Sequence, residues 1–98
     1  MLDFEQYCTE QDAIRTFGIQ SQVIVAIEEL SELQKELTKF LRGDHDIDHI
    51  SEEMADVYIM LDQLCMIFSN LDSITEWKIK KLHRLAERLH RNSDGSDD

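Results

Sequence analysis

Proline is missing from the 98-residue sequence, glycine occurs three times, cysteine twice, and only seven residues are aromatic. Without proline, the breaks between elements must come from glycine and clusters of polar turn residues, and Gly18 and Gly43 read as helix stops. Cys8 and Cys65 have neither metal nor redox spacing, so they read as reduced thiols and imply a reducing, cytoplasmic setting. No apolar run approaches the roughly 20 residues that a membrane span requires. The start, "MLDFEQYCTEQD", is acidic and lacks the apolar region of a signal peptide. Basic residues are scarce, 10 against 21 acids, for a net charge of −11. Such a field repels duplex nucleic acid. The bases are also unevenly placed. Residues 1–77 carry 17 acids and 4 bases, whereas residues 78–91 carry 6 bases and 1 acid. A local basic strip therefore remains able to grip phosphates.

Hydrophobic residues amount to 42%, enough for a packed core in one small domain. No period-two alternation persists, so the expected fold is all-α, an antiparallel bundle of about four helices. A first helix is expected near Thr9, where Thr9-x-x-Asp12 imitates a capping box, ending at Gly18. A second is expected over 21–41 with a core stripe of Ala26, Leu30, Leu33, Leu37 and Phe40. The polar segment "RGDHDIDH" connects to a third helix over 51–68. Ser73-x-x-Glu76 marks a fourth, running to about Arg91. Residues 1–91 thus form one domain, and "NSDGSDD" from Asn92 reads as a disordered acidic tail. The third helix is apolar nearly all round, more than three small neighbours can cover. This implies completion by self-association, as a homodimer or a dimer of dimers.

Two carboxylate pairs carry the chemistry. Glu29 and Glu32 in "EELSE" are three residues apart and share one surface of the second helix. Glu53 and Asp56 repeat that spacing on the third, beside Val57, Met60 and Leu64. Packed antiparallel, both pairs can face one gap. There either their pKa values rise or a hard cation such as Mg²⁺ sits between them. In a chain this acidic, each pair taken singly is more often a solvated face; two such pairs on adjacent helices, one inside an apolar stripe, turn the balance toward a site. On the fourth helix, Lys78 falls within the apolar stripe, Lys81 and Arg88 at its edge and Arg84 just outside. These bases serve either as snorkelling side chains beside a helix C-terminus or as a phosphate clamp.

"EELSE" followed by "EEMAD" resembles the E-E-x-x-E … E-x-x-D signature of the MazG-like, all-α nucleoside triphosphate pyrophosphohydrolases. The likeness spans roughly residues 18–68, over "QVIVAIEELSELQKEL" and "HISEEMADVYIMLDQL". It implies Glu29, Glu32, Glu53 and Asp56 as ligands of Mg²⁺, with Mn²⁺ as an alternative. It further implies hydrolysis of a nucleoside triphosphate to the monophosphate and pyrophosphate. Glu28 matches the first acid of the signature but points away from the others on the helical wheel. Members of the family often follow with a basic helix that includes an asparagine. "KIKKLHRLAER" supplies the bases, Lys78, Lys81, Arg84 and Arg88, without the asparagine.

Gln22, Phe17 and Trp77 are candidate contacts for a nucleobase. Gln22 lies seven residues before Glu29, on the same helix face, and can alternatively pair across helices. Aromatics at helical spacing are more usually core residues than base contacts. Asp44, His45, Asp46, Asp48 and His49 could bind a transition metal, although a polar loop with an N-cap at Asp48 explains them as well. Two alternatives to the leading activity stand beside it: a non-catalytic acidic helical interaction module, and a same-fold enzyme acting on phosphoribosyl-ATP. No residue is assigned as general base.

Overall fold

The structure, a computed structural model, describes residues 3–96, and their side chains as far as residue 92. It is all-α: α1 (Phe4–Phe17), α2 (Ile19–Leu41), α3 (Ile47–Phe68) and α4 (Leu71–Ser96). Among the described residues no helix is long and apolar enough to cross a membrane.

All four helices begin earlier than their sequence signals suggest, α2 at Ile19 where residue 21 was expected. α1 is capped by Asp3, whose carboxylate accepts from the Gln6 amide at 2.7 Å. The Thr9 hydroxyl instead donates back to the Glu5 carbonyl, inside the helix. α3 is capped by Asp46, which accepts from the His49 amide at 3.0 Å, so Asp48 lies in its first turn. α4 starts at Leu71, ahead of Ser73, with the Ile74 amide bonded to the Asn70 carbonyl. In each case an earlier side-chain oxygen or carbonyl reaches the orphan amides first. α4 also continues through Ser96, so the segment read as a tail is helical up to that residue. Asp97 and Asp98 lie outside the described residues.

Gly18 joins α1 to α2 with no intervening loop. Its φ of 94° is one that L-residues resist, and its amide still bonds to the Ile14 carbonyl. Gly43, at φ 107°, turns the chain out of α2. Ser69 ends α3 in the left-handed region without being glycine.

α2 and α3 pack antiparallel along most of their length, and α1 lies across both. The seam on α2 is not the expected leucine stripe. It runs through Gln22, Ala26, Glu29, Leu33 and Glu36, while Leu30, Leu37 and Phe40 are exposed. The alternating four- and three-residue steps are those of a coiled-coil seam. On α3 the matching buried positions are Glu53, Val57, Met60 and Gln63. Among the described residues, Ala26, Val57 and Met60 are the buried apolar ones, against five buried polar ones, Glu10, Gln22, Glu36, Glu53 and Gln63. The interior is therefore mostly a polar seam.

The fourth helix stands away from the other three, and over residues 71–92 every residue but the half-buried Ile74 is exposed. The Cα radius of gyration is 17.6 Å, where a compact chain of this length gives about 13 Å. The accessible surface is 7935 Å², where a compact monomer of this mass shows about 5,800 Å².

Candidate metal centre in the polar seam

Three polar pairs cross the α2–α3 seam at constant register. Gln22 meets Gln63, Glu29 meets Asp56 and Glu36 meets His49, each step moving seven residues up one helix and seven down the other. Seven residues are nearly two full turns, so all three pairs share one face.

At one end, Gln22 Nε2 donates to Gln63 Oε1 at 2.7 Å, and both side chains are buried. In the middle, carboxylate oxygens of Glu29, Glu53 and Asp56 lie within 4.8 Å of one another. Lost hydration and then the Asp56 charge push the Glu29 carboxyl above its ordinary range, and a hydrogen bond to Asp56 adds to the effect. Glu53 is raised in the same way, by lost hydration and then by Asp56, while His49 pulls against the rise. Glu32 is exposed, yet close enough for its charge to act on both Glu29 and Glu53. Glu53 Oε2 is buried and has no hydrogen-bond partner.

At the far end, His49 sits between two acids. Its Nδ1 lies 3.3 Å from Glu36 Oε2 and its Nε2 lies 3.6 Å from Glu53 Oε1. Lys39 Nζ closes on the other Glu36 oxygen at 3.1 Å. The chain Lys39–Glu36–His49–Glu53 ends on the carboxylate cluster. Such an arrangement fixes the rotamer of an acid from behind.

The donor set suits a hard divalent cation. All its atoms are carboxylate oxygens, their mutual repulsion is relieved by a positive charge, and one buried oxygen lacks a partner. Without a cation or protons the cluster is an uncompensated concentration of negative charge.

The remaining sequence candidates fall in three places. Glu28 is exposed, away from the seam. Gln22 is engaged across helices with Gln63, while Phe17 is exposed at the end of α1 and Trp77 on α4 carries Lys80 over its ring at 5.0 Å; these three do not come together. Lys78, Lys81, Arg84 and Arg88 are exposed along α4, which does not pack against the helices that carry the carboxylates. Lys81, Arg84 and Arg88 do line a common basic groove with Arg91. The polar connector is divided: Asp46 caps α3, His45 stacks on Phe40 at 4.6 Å, and His49 alone turns inward.

Sequence reasoning missed Glu10, Glu36 and Gln63, and weighed His49 only as part of a transition-metal loop and not as a partner of the carboxylates. For Glu36 the seven-residue step from Gln22 through Glu29 was available as a signal. Glu10 offered none, since α1 has only weak amphipathic character.

Scanning the chain against protein-family models, curated proteins and solved structures yields no match.

Proposed function

We propose that this chain is the subunit of a divalent-cation-dependent nucleoside triphosphate pyrophosphohydrolase that acts as a homo-oligomer. The observation that carries the proposal is the convergence of Glu29, Glu53 and Asp56 oxygens within 4.8 Å across two antiparallel helices. They occupy the positions that the E-E-x-x-E … E-x-x-D resemblance assigns to metal ligands.

Glu29, Glu53 and Asp56, with Glu32 at the rim, are the residues that hold Mg²⁺ in this reading. A bound Mg²⁺ supplies Lewis-acid polarisation of phosphate oxygens and lowers the pKa of a coordinated water. The chain's own groups do the rest. Glu36 and Lys39 hold His49, and His49 holds Glu53 in place for its ligand role. The cations of α4 neutralise the departing pyrophosphate. Since α4 stands off its own carboxylates, those cations come from a second copy that packs against the exposed faces of α3 and α4.

Self-association is supported by the roughly 2,100 Å² of accessible surface in excess of a compact monomer. It is also supported by the exposed Tyr58, Leu61, Phe68, Leu82, Leu85 and Leu89. The reaction is tested by pyrophosphate release from a panel of ribo- and deoxyribonucleoside triphosphates with Mg²⁺ and with chelator. Release that requires Mg²⁺ is expected. No release from any nucleotide refutes the proposal.

A further inference from the structure

A second polar feature lies on the same face of α3 as the carboxylate cluster. Glu10 of α1 is only 4% exposed, yet neither of its carboxylate oxygens has a hydrogen-bond partner. It lines a cavity of about 430 Å³ between the first half of α1 and α3, together with Gln6, Thr9, Ile59 and Gln63. That volume lies within the range of small-ligand sites. Two adjacent buried acceptors without donors are costly; both oxygens are closed off from solvent in this conformation, and a turn of the Glu10 side chain into the cavity brings them to a ligand with two donors, which removes the cost. Burial, and then the nearby Asp62 charge, push the Glu10 carboxyl up to about 7. It is therefore about half ionised near neutrality, and a donor ligand favours the ionised form.

The cavity is placed to serve the carboxylate cluster. Asp56, Ile59 and Gln63 follow one another along one side of α3. The seven residues from Asp56 to Gln63 rise about 10 Å, comparable with the reach of a nucleoside triphosphate from its outer phosphates to its base. Gln63 also lines the cavity and is held by Gln22, which commits the Gln63 oxygen and leaves Nε2 as the donor of that amide.

We propose that the α1–α3 cavity is a nucleobase subsite in which the two Glu10 oxygens accept from an amino-bearing base, guanine above the others. Guanine presents N1–H and N2–H₂ side by side, two donors for two acceptors. Uracil and thymine present one N–H flanked by carbonyl oxygens, which face the carboxylate unfavourably. Adenine and cytosine each offer an amino group next to a ring-nitrogen acceptor and fall between. The inference rests on the pyrophosphohydrolase reading for the position of the phosphates.

Glu10→Gln separates a specificity role from a structural one. Glutamine presents one acceptor and one donor, the pattern that matches adenine or cytosine and not guanine. In the wild type, kcat/KM for guanine nucleotides is expected to exceed that for uracil nucleotides at least tenfold. In Glu10→Gln the KM for guanine nucleotides rises by roughly 10- to 100-fold, the loss expected of hydrogen bonds to a charged group, and the KM for adenine or cytosine nucleotides falls. Equal KM values for all bases in the wild type, or an unchanged ranking in the variant, overturn the inference while leaving the pyrophosphohydrolase reading intact. If no nucleotide is hydrolysed, that reading fails, and titration of the full-length protein with guanosine and with uridine decides the subsite alone. Guanosine binding that Glu10→Gln removes supports it; no preference for guanosine overturns it.

Discussion

Glu10→Gln also has a consequence for stability that needs no ligand. In the folded chain burial, and then the Asp62 charge, push the Glu10 carboxyl from its ordinary 4.5 up to about 7. A carboxyl whose pKa is raised by folding binds its proton more tightly in the native state than in the unfolded chain. Between pH 4.5 and 7 the unfolded chain has therefore lost protons that the native state keeps, and stability falls as pH rises through that window. The whole shift corresponds to about 3.4 kcal/mol at 1.36 kcal/mol per unit. Proteins respond to a buried charge with an effective dielectric well above that of a dry interior, which reduces the contribution to about 1–2 kcal/mol. Glutamine has the same shape and no charge, so the variant loses this part of the pH dependence. At pH 5 the two proteins should melt close together. At pH 8 the variant should be more stable by that 1–2 kcal/mol, a rise in Tm on the order of 4–16 °C for a domain of this size. The assay is thermal melting by far-ultraviolet circular dichroism from pH 5 to pH 8, at one protomer concentration and with chelator present. A wild-type-to-variant difference that stays constant over the whole range refutes a buried, raised carboxyl at Glu10.

Four further outcomes follow from the seam and the fourth helix. Asp56→Asn removes one charge from a repelling cluster, so the metal-free variant should melt at or above the wild-type temperature, lose the Mg²⁺-induced rise and lose pyrophosphate release; melting curves with and without Mg²⁺ read this. His49→Ala frees Glu53 from its support and should weaken Mg²⁺ binding by roughly 10- to 100-fold by calorimetric titration, as losses of this kind do at other metal sites. Lys78→Ala and Lys81→Ala should lower the rate of pyrophosphate release with little change in Tm, because both side chains are exposed; lost stability with full rates would sink the phosphate-clamp role. Light scattering of a dilute sample should give the mass of a dimer or of a dimer of dimers, and a well-behaved monomer would overturn self-association.

The four-helix plan was legible because each break carries a physical marker: glycine at residue 18, glycine at residue 43, and the polar "SNLDS" cluster. Element starts were less legible. Both α1 and α3 are capped by an aspartate that the amphipathic pattern does not single out, and a cap depends on local backbone geometry rather than on periodicity. Glu29, Glu53 and Asp56 could be found because a three-residue spacing on each of two neighbouring helices has a chemical meaning. Glu36 could not be placed correctly, because the reading assumed that α2 faces α3 with its leucines. The buried face carries Gln22, Glu29 and Glu36 instead, which displaces the leucine-rich face by about a third of a turn. The contacts of His49 depend on where α3 starts relative to α2. That position follows from the Asp46 cap, which the sequence pattern alone does not fix.

The rotation of α2 links the carboxylate site to assembly. A seam that holds Gln22, Glu29, Glu36, Glu53, His49 and Gln63 gives up positions that would otherwise bury apolar side chains. With Ala26, Val57 and Met60 as its buried apolar residues, the subunit gains little hydrophobic stabilisation from its own interior. The displaced apolar groups, among them Leu30, Leu37, Tyr58 and Leu61, point outward instead. Their burial requires another surface, and the exposed apolar side of α4, through Leu82, Leu85 and Leu89, has the same need. In the proposed oligomer one packing event meets both needs and carries the basic strip of α4 toward a partner's carboxylates. The site and the assembly then rise or fall together. A substitution such as Leu85→Glu on α4, more than 25 residues from any carboxylate of the cluster, should yield monomers that have lost pyrophosphate release. If Leu85→Glu gives a monomer that releases pyrophosphate at the wild-type rate, the cations of α4 take no part in the chemistry and the link between seam and assembly is broken.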